Sequence, residues 1–121
     1  MTDEEALDLG RRFAACKGFR PMRGMLDNHG RTWTPDLLWR WTPKVDIPDL
    51  RDPATLGCLL ALVREAWRYP SAHPMPWGHS KFRPEPTGWS MMLGADDTLP
   101  NATLSAPTEA EALVAALEAA P

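Results

Sequence analysis

Apolar residues repeat at the three- and four-residue spacing of a helix face in three stretches of the chain. Two of these stretches open with the residues of a capping box, Thr2 with Glu5 and Thr108 with Glu111. In a capping box each side chain satisfies a free backbone N–H at the helix start. The pattern therefore predicts a first helix over about 3–16 and a third over about 108–120.

The second helical stretch has the strongest signals at both ends. Asp52 is a favourable N-cap, and Pro53 fits the first turn, where its missing N–H costs nothing. The helix should end near Tyr69, because Pro70 cannot continue it. Its surface is apolar on most sides, so we expect it to be the most buried of the three helices, at the centre of the core.

Alternating side chains over 89–93 predict a half-buried strand, with a turn over 94–97 and a returning strand over 102–105. An earlier hairpin is predicted from strands over 20–26 and 31–33, because residues 27–30, with Gly30 at their end, have the composition of a tight turn. These elements predict the α+β class: a single domain over 1–121, with a small antiparallel sheet packed by three helices.

Two proline- and tryptophan-rich stretches, 34–50 and 70–86, are predicted to be irregular loops. Loops of this length are uncommon in compact domains and are usually ordered by packing, functional or mobile.

Composition narrows the class of protein. The 121 residues carry 13 prolines, 6 tryptophans and a net charge of −3, which does not favour a strongly basic nucleic-acid binder. The longest apolar run is far shorter than the ~20 residues that a transmembrane helix needs, and the acidic first ten residues are unlike a signal peptide. We therefore expect a cytoplasmic protein in which Cys16 and Cys58 are buried free thiols, or a disulfide if their helices touch.

The sequence contains no recognisable catalytic or metal-binding motif. His73 and His79 lack the further ligands of a zinc site, so we interpret them as ordinary loop histidines. Asp46, Asp49 and Asp52 are interpreted as solvated loop charges plus one helix cap. We expect no enzyme activity, no catalytic residue, no metal and no cofactor.

Arginine and tryptophan alternate over residues 31–44, within a stretch, 11–51, that has nine cations against four carboxylates. This chemistry fits three interpretations: core packing with arginine stems across the rings, a protein-binding surface, or phosphate contact with base stacking. The candidate partner-binding residues are Trp33, Trp39, Arg40, Trp41 and Trp77.

The segments 52–67 and 107–120 resemble segments of small phage- and prophage-encoded proteins of unknown function. The predicted order of helices and strands is similar to the phage ABA (α-β-α) sandwich domain family. The resemblance is poor over 18–50 and 70–86, and the family carries no catalytic motif to transfer. It implies a phage origin and an α+β fold.

Together these observations predict a non-enzymatic phage accessory protein, in the cytoplasm of a bacterial host, that binds a macromolecular partner. The first expectation is a host protein or complex, with the chain inhibiting a defence system such as CRISPR. The alternatives are a nucleic-acid-binding protein that uses the Arg/Trp-rich segment, and a minor virion or assembly component.

Overall fold

The computed structural model describes residues 1–42, 44–78, 81–82, 86, 88–93 and 106–121. Over these residues the chain forms helices α1 (Asp3–Ala14), α2 (Pro53–Ala66) and α3 (Glu109–Glu118), and a single 3-10 turn, Leu38–Arg40. Two antiparallel strands, β1 (His73–Trp77) and β2 (Gly88–Met92), complete the fold. The α+β class predicted from the sequence is confirmed.

The helix starts lie where the sequence predicts them. Thr2 and Glu5 form a complete capping box on α1. The Asp52 carboxylate accepts a hydrogen bond from the Thr55 N–H on α2, and the Thr108 hydroxyl accepts one from Glu111 on α3. Local side-chain chemistry therefore determines where each helix begins.

The C-terminal end of α2 comes three residues before the predicted one. The Arg68 N–H donates to the Glu65 carbonyl at 3.2 Å, and the Tyr69 N–H donates to the Arg64 carbonyl at 3.0 Å. This is the Schellman pattern, which requires a left-handed residue after the cap. Arg68 occupies that position with a φ of 52°, and Pro70 comes two residues later.

The most buried helix is α3, and the prediction that α2 holds this place was wrong. α3 contacts α1, α2 and both strands, so it is covered from several sides. Its buried residues are Ala110, Ala112, Leu113, Val114, Ala116 and Leu117. By contrast, α2 buries a single face containing Leu59, Leu62 and Val63, and leaves Gly57 and Ala61 exposed.

The strand β1 falls inside 70–86, so the prediction that this whole stretch is irregular was wrong. Pro76 is paired with Trp89, but the Trp89 N–H and C=O both bond to Ala106 on the other side. The Pro76–Trp89 pair is therefore a non-hydrogen-bonded one, and so is the pair at Pro74 two residues away. Both prolines thus sit where no N–H toward β2 is needed, and they leave the outer edge of β1 without donors at these positions.

One predicted strand of the sheet is present, although its partner in the described residues is β1 rather than the predicted returning strand. β2 covers most of the predicted strand over 89–93, with Met91 and Leu93 buried. Ala106 forms a single antiparallel bridge to Trp89. The predicted turn over 94–97 and returning strand over 102–105 lie outside the described residues.

The earlier hairpin is present without regular strands. Three backbone hydrogen bonds join its two sides: the Trp33 N–H donates to the Met25 carbonyl and the Gly24 N–H to the Trp33 carbonyl, both at 2.8 Å, and the Asp27 N–H to the Arg31 carbonyl at 3.0 Å. Gly30 has the expected positive φ, 78°, and one bridge joins Leu26 to Thr32, but no regular strands flank the turn. The Leu26 N–H donates to the Thr55 hydroxyl at 2.8 Å, and a second bridge pairs Asp27 with Pro48. The chain on the N-terminal side of the turn therefore bonds to α2 and to the long loop rather than to a partner strand alone. Apart from this bridge and the 3-10 turn, the described residues of 34–50 are irregular as predicted, and the last of them are largely buried.

Two helical glycines should respond in opposite ways to the same substitution. A Cβ at Gly10 would overlap the Pro48 carbonyl oxygen, whereas one at Gly57 would meet no atom within 4 Å. We expect Gly10→Ala to lower the free energy of unfolding by about 1–3 kcal/mol through overpacking. Gly57→Ala should raise it by about 0.5–1 kcal/mol through helix propensity. Urea denaturation of both variants tests this, and equal effects would contradict the close crossing of α1 by the Ile47–Pro48 backbone.

Candidate binding surface

A buried carboxylate organises the turn that precedes the Arg/Trp-rich segment. Asp27 is 1% exposed. Its Oδ1 accepts hydrogen bonds from the backbone N–H groups of His29 at 2.8 Å and Arg31 at 2.9 Å. Its Oδ2 accepts from Arg31 Nε and from the indole Nε1 of Trp33, both at 3.0 Å. Every lone-pair direction of the carboxylate is therefore matched by a donor.

These contacts control the charge state of Asp27. Burial by itself raises the pKa of the carboxyl, but the hydrogen bonds from the Arg31 and His29 N–H groups and the Arg31 guanidinium outweigh it. The net effect is a pKa below the ordinary value, so Asp27 is ionised at neutral pH.

Arg31 connects the turn to the far end of the loop. Its Nη2 donates to Asp46 Oδ1 at 2.7 Å, and Asp46 Oδ2 accepts the Thr42 N–H at 2.8 Å. The guanidinium also lies over the Trp33 ring, 5.2 Å from its centroid. Asp46 is only 4% exposed, so its interpretation as a solvated loop charge was wrong: it is buried because Arg31 and Thr42 satisfy it. Asp52 is the predicted cap.

Two of the candidate tryptophans belong to the packed interior. Trp33 is 3% exposed, and its ring centroid lies 4.7 Å from that of Trp41 in an edge-to-face arrangement. Trp41 is half-buried and also contacts Phe19, at 5.9 Å. The rings of this pair are packed against each other, and only a small part of Trp33 faces solvent. The Trp41 indole N–H is buried and has no hydrogen-bond partner among the residues that the structure describes.

The other two candidate residues of the Arg/Trp-rich segment, Trp39 and Arg40, face solvent. Trp39 is 75% exposed, and the Arg40 guanidinium lies over its ring at 5.0 Å. Both sit in the 3-10 turn, in which the Arg40 N–H donates to the Leu37 carbonyl at 2.9 Å. Val45 is a second exposed apolar side chain of this loop. Because the neighbouring positions Trp33 and Trp41 are held inside, the short turn between them projects Trp39 outward.

A cleft of about 270 Å³ lies in the same segment. The residues that line it include the cations Arg31 and Arg40, the apolar residues Trp33 and Val45, and the acidic residue Asp46. We call Trp39, Arg40 and Val45, together with this cleft, the Trp39 surface.

Trp77, the remaining candidate, lies on a different element. It ends β1 and is 46% exposed, and its indole covers Gly88, where a Cβ would overlap the ring. Its position is explained by packing across the strand pair. The structure therefore divides the five candidates into an interior pair, an exposed pair and a sheet residue.

The cysteines and histidines form no reactive group in the part of the chain that is described. Cys16 and Cys58 are free and half-buried, and burial raises the pKa of both thiols, which disfavours the nucleophilic thiolate. His73 Nδ1 bonds to the Ser71 carbonyl at 2.8 Å, and His79 lies outside the described residues. Over those residues, no group of three or more His, Cys, Asp or Glu side chains could hold a metal ion.

Comparisons with family models, curated proteins and solved structures find no match to this chain. Among the described residues, no helix has the length and apolar character to cross a membrane.

Asp27 should be the most sensitive carboxylate of this region. Asp27→Asn replaces an acceptor by an amide NH₂ that faces donors, and we expect it to lower the free energy of unfolding by about 3 kcal/mol at pH 7. The folded-state pKa is depressed, so this stabilisation is complete above the unfolded pKa and is lost as pH falls through the folded one. The variant and the wild type should therefore differ less at pH 3 than at pH 7.

Urea denaturation at the two pH values measures this difference. Asp8→Asn is the matched control, because Asp8 is an exposed carboxylate on α1 whose contact is an exposed ion pair with Arg11. Equal losses from the two variants would contradict the organising role of Asp27.

Replacing Trp39 and replacing Trp41, two positions apart in the sequence, should have different effects on the stability of the fold. Trp41→Ala removes the ring contacts to Trp33 and Phe19, and should lower the free energy of unfolding by about 3 kcal/mol. Trp39→Ala removes an exposed ring and should change it by less than about 0.5 kcal/mol. Thermal unfolding followed by circular dichroism checks this, and a comparable loss from Trp39→Ala would show that its ring is packed.

Proposed function

We propose that the chain works by binding a protein partner through the Trp39 surface. The observation that carries this proposal is the 75% exposure of Trp39, while Trp33 is buried and Trp41 is half-buried. Tryptophan and arginine are the residues most enriched in the energetic centres of protein interfaces. Here they are adjacent, stacked and solvent-facing.

Contacts within the protein hold the loop that carries the Trp39 surface in place, which favours binding. The Arg31–Asp46 ion pair and the Trp33–Trp41 contact fix the loop on both sides of the 3-10 turn. A loop that is already ordered loses less conformational entropy when a partner docks. The Arg40 guanidinium lies over the Trp39 ring and makes no ion pair with the described residues, so its N–H donors can serve a partner.

The partner class is proposed from the resemblance of the α2 and α3 segments to phage and prophage proteins. On that basis the chain is a phage accessory protein without catalytic activity, and its target is a protein complex of a host defence system such as CRISPR. The Trp39 surface supplies the contact, and inhibition follows from occupying a functional surface of the target.

Binding of single-stranded nucleic acid is the second candidate, because a stacked Trp39–Arg40 pair also suits a base and its phosphate. Its electrostatics are less favourable. Residues 31–46 carry three cations against two carboxylates, and one of the cations, Arg31, is already paired with Asp27 and Asp46. A phosphate-binding surface draws most of its affinity from several unpaired cations.

Capture from host lysate, with and without nuclease and read by mass spectrometry, tests the proposal. We expect a protein complex that survives nuclease and is lost with Trp39→Ala. Phe82→Ala is the matched control, because Phe82 is 88% exposed and has the Lys81 amine at 5.1 Å over its ring. This variant should capture the same complex as the wild type.

Two results would contradict the proposal. Loss of every captured protein after nuclease would favour nucleic acid as the partner. The affinity of the chain for nucleic acid should then fall steeply as the salt concentration rises. Equal capture by Trp39→Ala and the wild type would remove the Trp39 surface from the interaction.

A further inference from the structure

We infer that the partner presents an acidic segment to the Trp39 surface, with an apolar side chain next to its carboxylates. This inference rests on the proposed function and specifies the chemistry of the occupant.

The charges that line the cleft are not equally accessible. The two cations, Arg31 and Arg40, are exposed, and the Arg31 side chain is 55% exposed. The one anion, Asp46, is buried, with 5% of its side chain exposed. A molecule that enters the cleft therefore meets guanidinium groups rather than the carboxylate that balances one of them.

Both guanidinium groups have donors to offer. Arg31 uses Nε and Nη2 on Asp27 and Asp46, and its Nη1 makes no hydrogen bond to the residues that the structure describes. Arg40 stacks on Trp39 and makes no ion pair within the described part of the chain. Guanidinium donors match carboxylates in geometry and charge, and such bonds are stronger than neutral ones.

The same surface has an apolar component. Trp39 and Val45 are exposed large hydrophobic side chains, and Trp33 contributes to the cleft lining. A volume of about 270 Å³ admits side chains rather than a whole folded element. Together these features fit a short segment in which a carboxylate reaches the guanidinium groups and a neighbouring apolar side chain packs on Trp39 or Val45.

A peptide carboxylate fits this arrangement better than a phosphate backbone. The cleft is one site of about 270 Å³, and Arg40 is the cation of its lining that no carboxylate of the described residues neutralises, which suits a single carboxylate. A nucleic-acid strand repeats its charges and is bound by a groove of cations that follows the backbone. We therefore assign the cleft to an acidic peptide segment.

An NMR titration of the isotope-labelled full chain tests this assignment without knowledge of the partner. The probes are a blocked hexapeptide of alternating glutamate and leucine, its glutamine counterpart, and a thymidine dodecamer. The glutamate peptide should shift the Arg40 Nε–H and Trp39 indole signals. It should bind about tenfold more tightly than the glutamine peptide, because one charge-assisted hydrogen bond contributes on that scale.

Two variants locate the effect. Arg40→Gln should weaken binding of the glutamate peptide about tenfold. Arg11→Gln makes the same change in net charge on α1, outside the cleft lining, and should leave the affinity within about twofold.

The inference is overturned if the glutamate and glutamine peptides bind alike, if neither shifts these signals, or if the thymidine dodecamer binds more tightly than the glutamate peptide. Its failure is distinguishable from that of the proposed function. A partner captured in a Trp39-dependent manner, but with an affinity unchanged by Arg40→Gln, would overturn the acidic-segment inference and leave the proposed function in place.

Discussion

The Asp27 carboxylate accepts four hydrogen bonds, which come from three residues within the next six positions of the chain. An unpaired buried carboxylate would cost several kcal/mol, so the surrounding chain must keep these donors in place. The backbone N–H groups of His29 and Arg31 close the turn around one oxygen. The Trp33 indole and the Arg31 guanidinium are held by the other. One ionised group thereby fixes both a turn and the orientation of the side chains that begin the Arg/Trp-rich segment.

The arrangement of the tryptophans follows from this constraint. Trp33 is turned inward by Asp27, and Trp41 packs against it edge-to-face. Arg31 reaches from the turn to Asp46, which binds the Thr42 N–H and so anchors the far side of the loop. With both sides fixed, the intervening 3-10 turn directs Trp39 to solvent. The exposure of Trp39 is thus produced by packing on either side of it rather than by any property of Trp39 alone.

A structural feature could be predicted from the sequence when the residues that determine it lie close together along the chain. Helix starts were predictable because a cap and its backbone partner lie three residues apart, as with Thr2 and Asp52. The strand β1 was missed because prolines normally argue against a strand, and only the register with β2 shows that Pro74 and Pro76 need no donor. The division of the tryptophans was not predictable, since it depends on Arg31 pairing with Asp46 fifteen residues away. The role of Asp27 had a local signal, an arginine four residues later and a tryptophan six residues later. The interpretation of Asp27 as a turn residue did not use this signal.

Exchange of the indole N–H protons tests the central claim most directly, because it reports each tryptophan ring separately in the unmodified chain. If Asp27 holds Trp33 inside while the turn exposes Trp39, the Trp33 indole proton should exchange only through opening of the fold. The Trp39 indole proton should exchange at the rate of a free indole. Rapid exchange of Trp33, or protection of Trp39 comparable to that of Trp33, would contradict both the organising role of Asp27 and the surface built upon it.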